Sequence, residues 1–170
     1  GNLRELVTGK AVFEKIKAKD KLAKFLFVAD DFDPLRRVYP FLDASFEKYV
    51  GRPLNLAPCP CGKHPNYAQH FLEPFLGSLK KLEIAPEIIL SSTLYESGKM
   101  TKSIDLALKN RNKIGQLLAK ITHRDLPANW SPLNVLCSQC QKLNQTKITK
   151  VDLENHSVEY ECGCGQTASA

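Results

Sequence analysis

Four cysteines near the end of the chain carry its clearest chemical pattern. Cys137-Ser-Gln-Cys140 is followed, after 21 residues, by Cys162-Gly-Cys164. Two close pairs at this separation can supply four thiolates to one tetrahedral Zn²⁺. Each pair falls where a strand is expected to turn, so backbone N–H groups can point at the sulfurs. Gly163 and Gly165 suit the tight turn of the second pair. Four cysteines fill the coordination sphere and leave no position for water, so the expected zinc is structural, not catalytic. The stretch 126–170 is too small to fold on an apolar core alone. A structural zinc, contributing on the order of 10 kcal/mol, would hold it together. The plainer alternative, four unpaired buried thiols, fits the spacing poorly.

A second set is Cys59-Pro-Cys61 with His64, in the loop Pro58 to Pro65 (PCPCGKHP), joined by His70 on the next helix. It could hold another metal, although His70 could equally pack in a core. Taken as Cys59, Cys61 and His64 alone, the set would be a small metalloenzyme site with an open position. A third group is Asp30, Asp31 and Asp33, in the turn after an apolar run. These carboxylates either face a substrate amine or a magnesium ion, or serve as turn formers and partners for Arg36 and Arg37.

The elements that must position these groups alternate. Leu3 to Lys19 has the 3.6-residue apolar period of an amphipathic helix. Ala23 to Ala29 (AKFLFVA) reads as a strand buried on both faces, and Asp43 to Val50 as a short helix. Asn66 caps a helix running to about Leu82, with a kink or break expected at Pro74 or Gly77. Glu87 to Leu90 (EIIL) is a second buried strand, and Thr93 to Gly98 a turn or short helix. Met100 to Ile121 predicts one long helix. Helix, strand, helix, strand, helix is a doubly wound α/β order, whose sites lie at the strands' C-terminal ends. After His123 the composition shifts. Leu126 to Pro132 reads as a linker pinned by the only Trp, Trp130, with short strands beyond it at Leu133–Leu136, Thr146–Val151 and Ser157–Tyr160. The expected division is 1–125 and 126–170.

Bulk properties set outer bounds. The chain has 170 residues, of which 43% are hydrophobic, enough for one domain and an appendage. Lys+Arg number 24 against 18 Asp+Glu, a net charge of +6 that suits a polyanionic partner or simply a solubilising surface. No apolar run reaches membrane-spanning length, no signal-peptide pattern opens the chain, and the cysteine spacings suit metal or free thiols. A cytoplasmic protein is expected. The first residue is glycine, so the beginning is expected to be processed, engineered or missing.

With these elements in place, the chain resembles an internal piece of a class I lysyl-tRNA synthetase. Gly1 to Thr8 (GNLRELVT) resembles the last two letters of the family's HIGN motif and the helix after them. Ala29 to Val38 resembles its DDYDPLRKV segment, and Pro58 to Phe71 (PCPCGKHPNYAQHF) aligns without a gap with PDPYGCHESYAEHF. Leu94 to Gly98 resembles its LYKSG turn. Asp125 to Trp130 and the Cys137 to Gly165 pattern resemble its linker and zinc insertion. Cys59 and Cys61 stand where the family has an acidic and an aromatic residue, and Lys63 where it has a cysteine. The resemblance implies a partial Rossmann-like nucleotide-binding fold with a small β-rich zinc-ribbon insertion. Lys99 to Ser103 (KMTKS) is one letter from the ATP-closing KMSKS loop of class I synthetases. The family's own loop lies much further on, so this one is expected to be a helix start with a solvated face.

The implied activity is that of a lysine–tRNA ligase. ATP, as its magnesium complex, activates lysine to lysyl-adenylate, and the lysyl group passes to the 3′ end of tRNA. Gly1 and Asn2 would bind ATP at the start of a helix, although Asn2 could be a plain N-cap. His64, Tyr67 and His70 match positions near the cleft, as nucleotide contacts or core support. The first strand with its lysine-binding loop and the second half of the nucleotide fold are expected outside this chain, which alone is not expected to aminoacylate. The rival is a non-catalytic zinc-ribbon nucleic-acid-binding module, which leaves the α/β portion unexplained.

Overall fold

The computed structural model describes residues 2–20, 22–127 and 129–170. Helix α1 spans Asn2–Lys17 and buries only Leu6. Gly9 lets the ring of Phe25 approach its backbone: a Cβ there would lie 3.0 Å from the ring. Strand β1 (Leu26–Ala29) pairs in parallel with β2 (Glu87–Leu90), Leu26 opposite Glu87 and Ala29 opposite Leu90. A parallel pair needs a crossover, and α2 (Tyr67–Lys81) provides it. Phe25 and Phe27 pack with Leu6, Leu79, Ile84 and Phe75.

The expectation of strands buried on both faces fails. Leu26 is 44% exposed and Val28 49%, because packing covers only the face that carries Phe25 and Phe27. Pro74 does not break α2, which continues to Lys81. The hydroxyl of Ser78 donates to the Pro74 carbonyl at 3.0 Å.

Short helix α3 (Ser91–Glu96) leaves β2 directly. The single long helix expected after it is two, α4 (Thr101–Lys109) and α5 (Arg111–Thr122). Asn110 separates them: its backbone leaves the helical region and its side-chain amide donates to the Leu106 carbonyl at 2.8 Å. That local bond competes with helix continuation. Lys99-Met100-Thr101 does stand at a helix entry, as expected.

The C-terminal part is an antiparallel sheet, β3 (Thr146–Asp152), β4 (Ser157–Cys162) and β5 (Thr167–Ser169), in that order. Leu133–Leu136 is not a strand: the Val135 carbonyl is taken by the Thr146 hydroxyl at 2.7 Å. β5 went unpredicted. Tyr160, Val135, Ile148 and Val158 form the core here with Cys137 and Cys162, and Leu108 of α4 inserts among them. Among the described residues, no helix is long and apolar enough to cross a membrane.

Candidate active-site cleft and metal centres

Both parallel strands end on the same side, and two short polar runs meet there. Asp31, only 5% exposed, accepts from Ser91 Oγ at 3.1 Å, Ser92 N at 2.9 Å and Ser92 Oγ at 2.6 Å. The Ser91 hydroxyl also lies 2.9 Å from Asp30 Oδ1 and accepts from Phe32 N at 3.2 Å. This latch ties the end of β1 to the start of α3. Ser91 and Ser92 escaped the sequence reading, although paired serines straight after a strand are a helix-entry signal.

A cleft of about 750 Å³ opens beside the latch, lined by Asn2, Phe27, Asp30, Asp31, Tyr67 and Phe71 among others. Asn2, Asp30, Asp31 and Tyr67, all expected at a site, therefore come together. Asp33 does not join them. It pairs with Arg36 at 3.0 Å and borders a neighbouring hollow, while Arg37 lies over the Tyr39 ring. Burial, aided by nearby Tyr39, raises the Tyr67 phenol above its ordinary range. Gly1 lies outside the described residues.

His64 and His70 leave the cleft for a separate cluster. Asn66 caps α2 by accepting from Gln69 N at 2.9 Å, which fixes His70 on the first turn. Gly62, at φ +70°, turns the preceding loop back on itself. Cys59 Sγ and Cys61 Sγ then lie 3.4 Å apart, each 3.2–3.5 Å from His64 Nδ1 and His70 Nδ1. A tetrahedral zinc with S and N ligands needs separations of about 3.3–3.8 Å, so the four atoms fit one ion. His70 supplies a fourth candidate ligand atom where Cys59, Cys61 and His64 alone would leave one position open. The other ring nitrogen of His64 lies 3.4 Å from Glu73 Oε2, the carboxylate support typical of a metal-bound imidazole. Desolvation works against ionising Cys59. Hydrogen bonds with His64 and Cys61 outweigh it and bring the thiol down to about 5.

The four C-terminal cysteines converge as their spacing predicts. All four sulfurs lie within 4.8 Å of one another, with Cys137–Cys164 at 3.7 Å and Cys140–Cys162 at 3.6 Å. Tetrahedral Zn–S bonds place sulfurs about 3.8 Å apart, far beyond the ~2.05 Å of a disulfide. Cys137 is wholly buried, and Gly165 takes φ +92° in the second turn. Ser138 N donates to the Tyr160 hydroxyl at 3.0 Å, which anchors the first turn to the sheet. Burial opposes ionisation of Cys137, but the backbone amides of Cys140 and Gln139 lower its thiol to about 6. Burial pushes Cys162 up to about 12, and its neighbouring sulfurs reinforce the shift.

The family model described as tRNA synthetases class I (K) matches residues 1–170. The chain is 44% identical over 167 residues to a lysine–tRNA ligase of Methanosarcina barkeri, an alignment covering 98% of this chain and 31% of that protein. It is 43% identical over 167 residues to one of Archaeoglobus fulgidus, covering 98% and 34%. With one of Picrophilus torridus it shares 39% over 170 residues, covering 100% and 33%. The chain spans about a third of the length of these curated relatives and belongs to the class I (K) family of tRNA synthetases.

Proposed function

We propose, from that membership, that these residues form part of the catalytic region of a lysine–tRNA ligase. ATP activates lysine as its adenylate, with loss of pyrophosphate, and the lysyl group is then passed to tRNA. The observation that carries the proposal is the cleft at the C-terminal end of β1, one of two paired parallel strands, where Asn2, Asp30 and Tyr67 line the same cavity. Ligands of doubly wound sheets bind at this edge. The N-terminus of α1 favours phosphate there through its free N–H groups and partial positive charge. Asp30, exposed and lining the cleft, suits a lysine ammonium or the magnesium of ATP; Asp31 is committed to the latch. The two strands and their crossover are the part of a Rossmann-like fold that this stretch would contribute.

We further infer that both four-ligand clusters hold structural zinc. Cys137, Cys140, Cys162 and Cys164 would form the centre of a zinc ribbon over 126–170, with 1–125 the catalytic part. Cys59, Cys61, His64 and His70 would fix the loop that leads into α2. Neither cluster leaves a coordination position for substrate, so each would supply rigidity and no chemistry.

The test is lysine-dependent ATP–pyrophosphate exchange by a polypeptide carrying these residues at the length of the relatives. Asp30→Ala is expected to lower kcat/KM for lysine at least about 100-fold, the weight of a desolvated charged contact. Exchange that depends on another amino acid, or is indifferent to Asp30, would overturn the reading.

A further inference from the structure

The net charge of this chain is not spread over it. Residues 99–124 contain seven of the 24 Lys and Arg (Lys99, Lys102, Lys109, Arg111, Lys113, Lys120, Arg124) but one of the 18 Asp and Glu, Asp105. That segment alone carries +6. The 17 bases and 17 acids elsewhere cancel, so the 99–124 segment accounts for the entire excess.

All seven cations are exposed, and among the described residues none forms an ion pair. The one acid is already engaged: Asp105 Oδ2 lies 2.7 Å from His156 Nδ1, in the β3–β4 turn. Lys109 and Lys120 sit in the last turns of their helices, where a cation complements the helix dipole. That accounts for two of the seven.

α4 is held from beneath, whereas α5 buries no residue and rests against Trp130. Ile104 and Leu108 pack into the core around Cys137 and Cys162. Gly115 lies against the indole of Trp130, where a Cβ would be 3.2 Å from the ring. Lys102 and Lys109, seven residues apart, share one side of α4 about 10 Å apart along its axis; Lys113 and Lys120 repeat this on α5.

We propose that residues 99–124 form an RNA phosphate-backbone face. Its cations displace counterions from the backbone without reading bases. The identity of the RNA, the tRNA of the ligase, rests on the function proposed above; the polyanion preference rests on charge placement alone. The exposed Leu106 on α4 and Leu117, Leu118 and Ile121 on α5 make an anionic membrane the competing surface. RNA is favoured because the seven cations outnumber these apolar side chains and because the ligase proposed above itself takes a tRNA.

The test measures binding of the full chain to a labelled tRNA transcript by anisotropy between 50 and 200 mM salt. Lys113→Gln/Lys120→Gln/Arg124→Gln is expected to weaken binding at least about tenfold and to flatten the log–log salt slope by about 2–3, near 0.9 per lost phosphate contact. Lys15→Gln/Lys17→Gln/Lys19→Gln on and after α1 removes the same charge and should change affinity less than about threefold. Lys99→Gln/Lys102→Gln/Lys109→Gln repeats the test on α4, should the α5 variant fold poorly. Equal effects of the 99–124 and α1 variants would overturn the proposal, as would preferential binding to phosphatidylserine vesicles. Absence of lysine-dependent pyrophosphate exchange by the relatives-length polypeptide, with the salt result intact, would sink the ligase reading alone. Exchange by that polypeptide with an unchanged slope would sink the 99–124 face alone.

Discussion

Asp31→Ala should be the most damaging single polar substitution near the cleft, for reasons of folding and not chemistry. Its carboxylate accepts three hydrogen bonds from Ser91 and Ser92, both buried. Bonds to a charged acceptor contribute about 1.5–3 kcal/mol each, and a buried donor left unpaired costs about 1–3 kcal/mol. Ser91 can still turn to Asp30, 2.9 Å away, whereas Ser92 loses the acceptor of both its amide and its hydroxyl. The net loss is then about 3–5 kcal/mol, a large fraction of the ~5–15 kcal/mol that domains possess. With a urea m-value of ~2 kcal/mol/M, the unfolding midpoint monitored by circular dichroism should fall by about 1.5–2.5 M. Asp31→Asn keeps the shape and one acceptor and should recover about half of this. In a double-mutant cycle, Asp31→Ala with Ser92→Ala should show coupling above about 1.5 kcal/mol. A midpoint shift below about 0.5 M, or no coupling, would refute the latch. Asp30→Ala should leave the midpoint within about 0.5 M, which separates the two neighbouring carboxylates.

Metal analysis of the purified chain should find two zinc ions, with Cys162→Ser and Cys61→Ser each removing one. Chelation should also abolish amide-exchange protection in β3 and β4, since structural zinc contributes on the order of 10 kcal/mol. Gly51→Ala should cost about 2–4 kcal/mol in urea melts. At φ +93° a side chain is strained, and its Cβ would collide with Asn144 at the joint where Leu143 N donates to the Gly51 carbonyl. Asn66→Ala, which removes the cap of α2, should cost about 1 kcal/mol in the same assay. Asp152 accepts hydrogen bonds from the side chain and backbone of Asn155, which lower its pKa below 3.8. Its contribution is therefore present above the unfolded value and lost as pH falls through the folded one. An NMR titration of its carboxyl carbon should show a midpoint below 3.8.

The features legible in the sequence were those that neighbours in sequence decide. Cysteine pairs one or two residues apart must lie together in space, so both clusters were visible, His70 included. Asn66 before an apolar period marked the start of α2, and Pro86 with a β-branched run marked β2. Features set by distant partners stayed hidden. The latch joins residues about 60 apart in sequence. The division between α4 and α5 hangs on an asparagine amide that bonds to its own preceding turn, with no Gly or Pro to announce it. Leu133–Leu136 looks like a strand because Val135 is apolar and buried, yet a threonine hydroxyl and not a neighbouring strand takes its carbonyl. β5 carries only Thr-Ala-Ser and exists because β4 offers it an edge.

The apolar packing explains why a small piece of chain would carry two metal centres. Among the described residues, most of the buried apolar side chains fall into three separate clusters. Two of the three adjoin a ligand set. Cys137 and Cys162 are themselves members of the cluster with Tyr160 and Leu108. Tyr67, three residues after His64, belongs to the cluster with Leu35 and Ala57 and donates its amide to the Ala57 carbonyl at 2.9 Å. A metal at each place would convert a marginal cluster into a fixed point. The centre at Cys59 would set the N-terminal turn of α2, hence Tyr67 and Phe71 on the cleft wall. The centre at Cys137 would set Ile104 and Leu108, hence the cationic side of α4. The two proposed activities, substrate activation in the cleft and phosphate contact along α4, would then be held by different ions, and damage to one should leave the other standing.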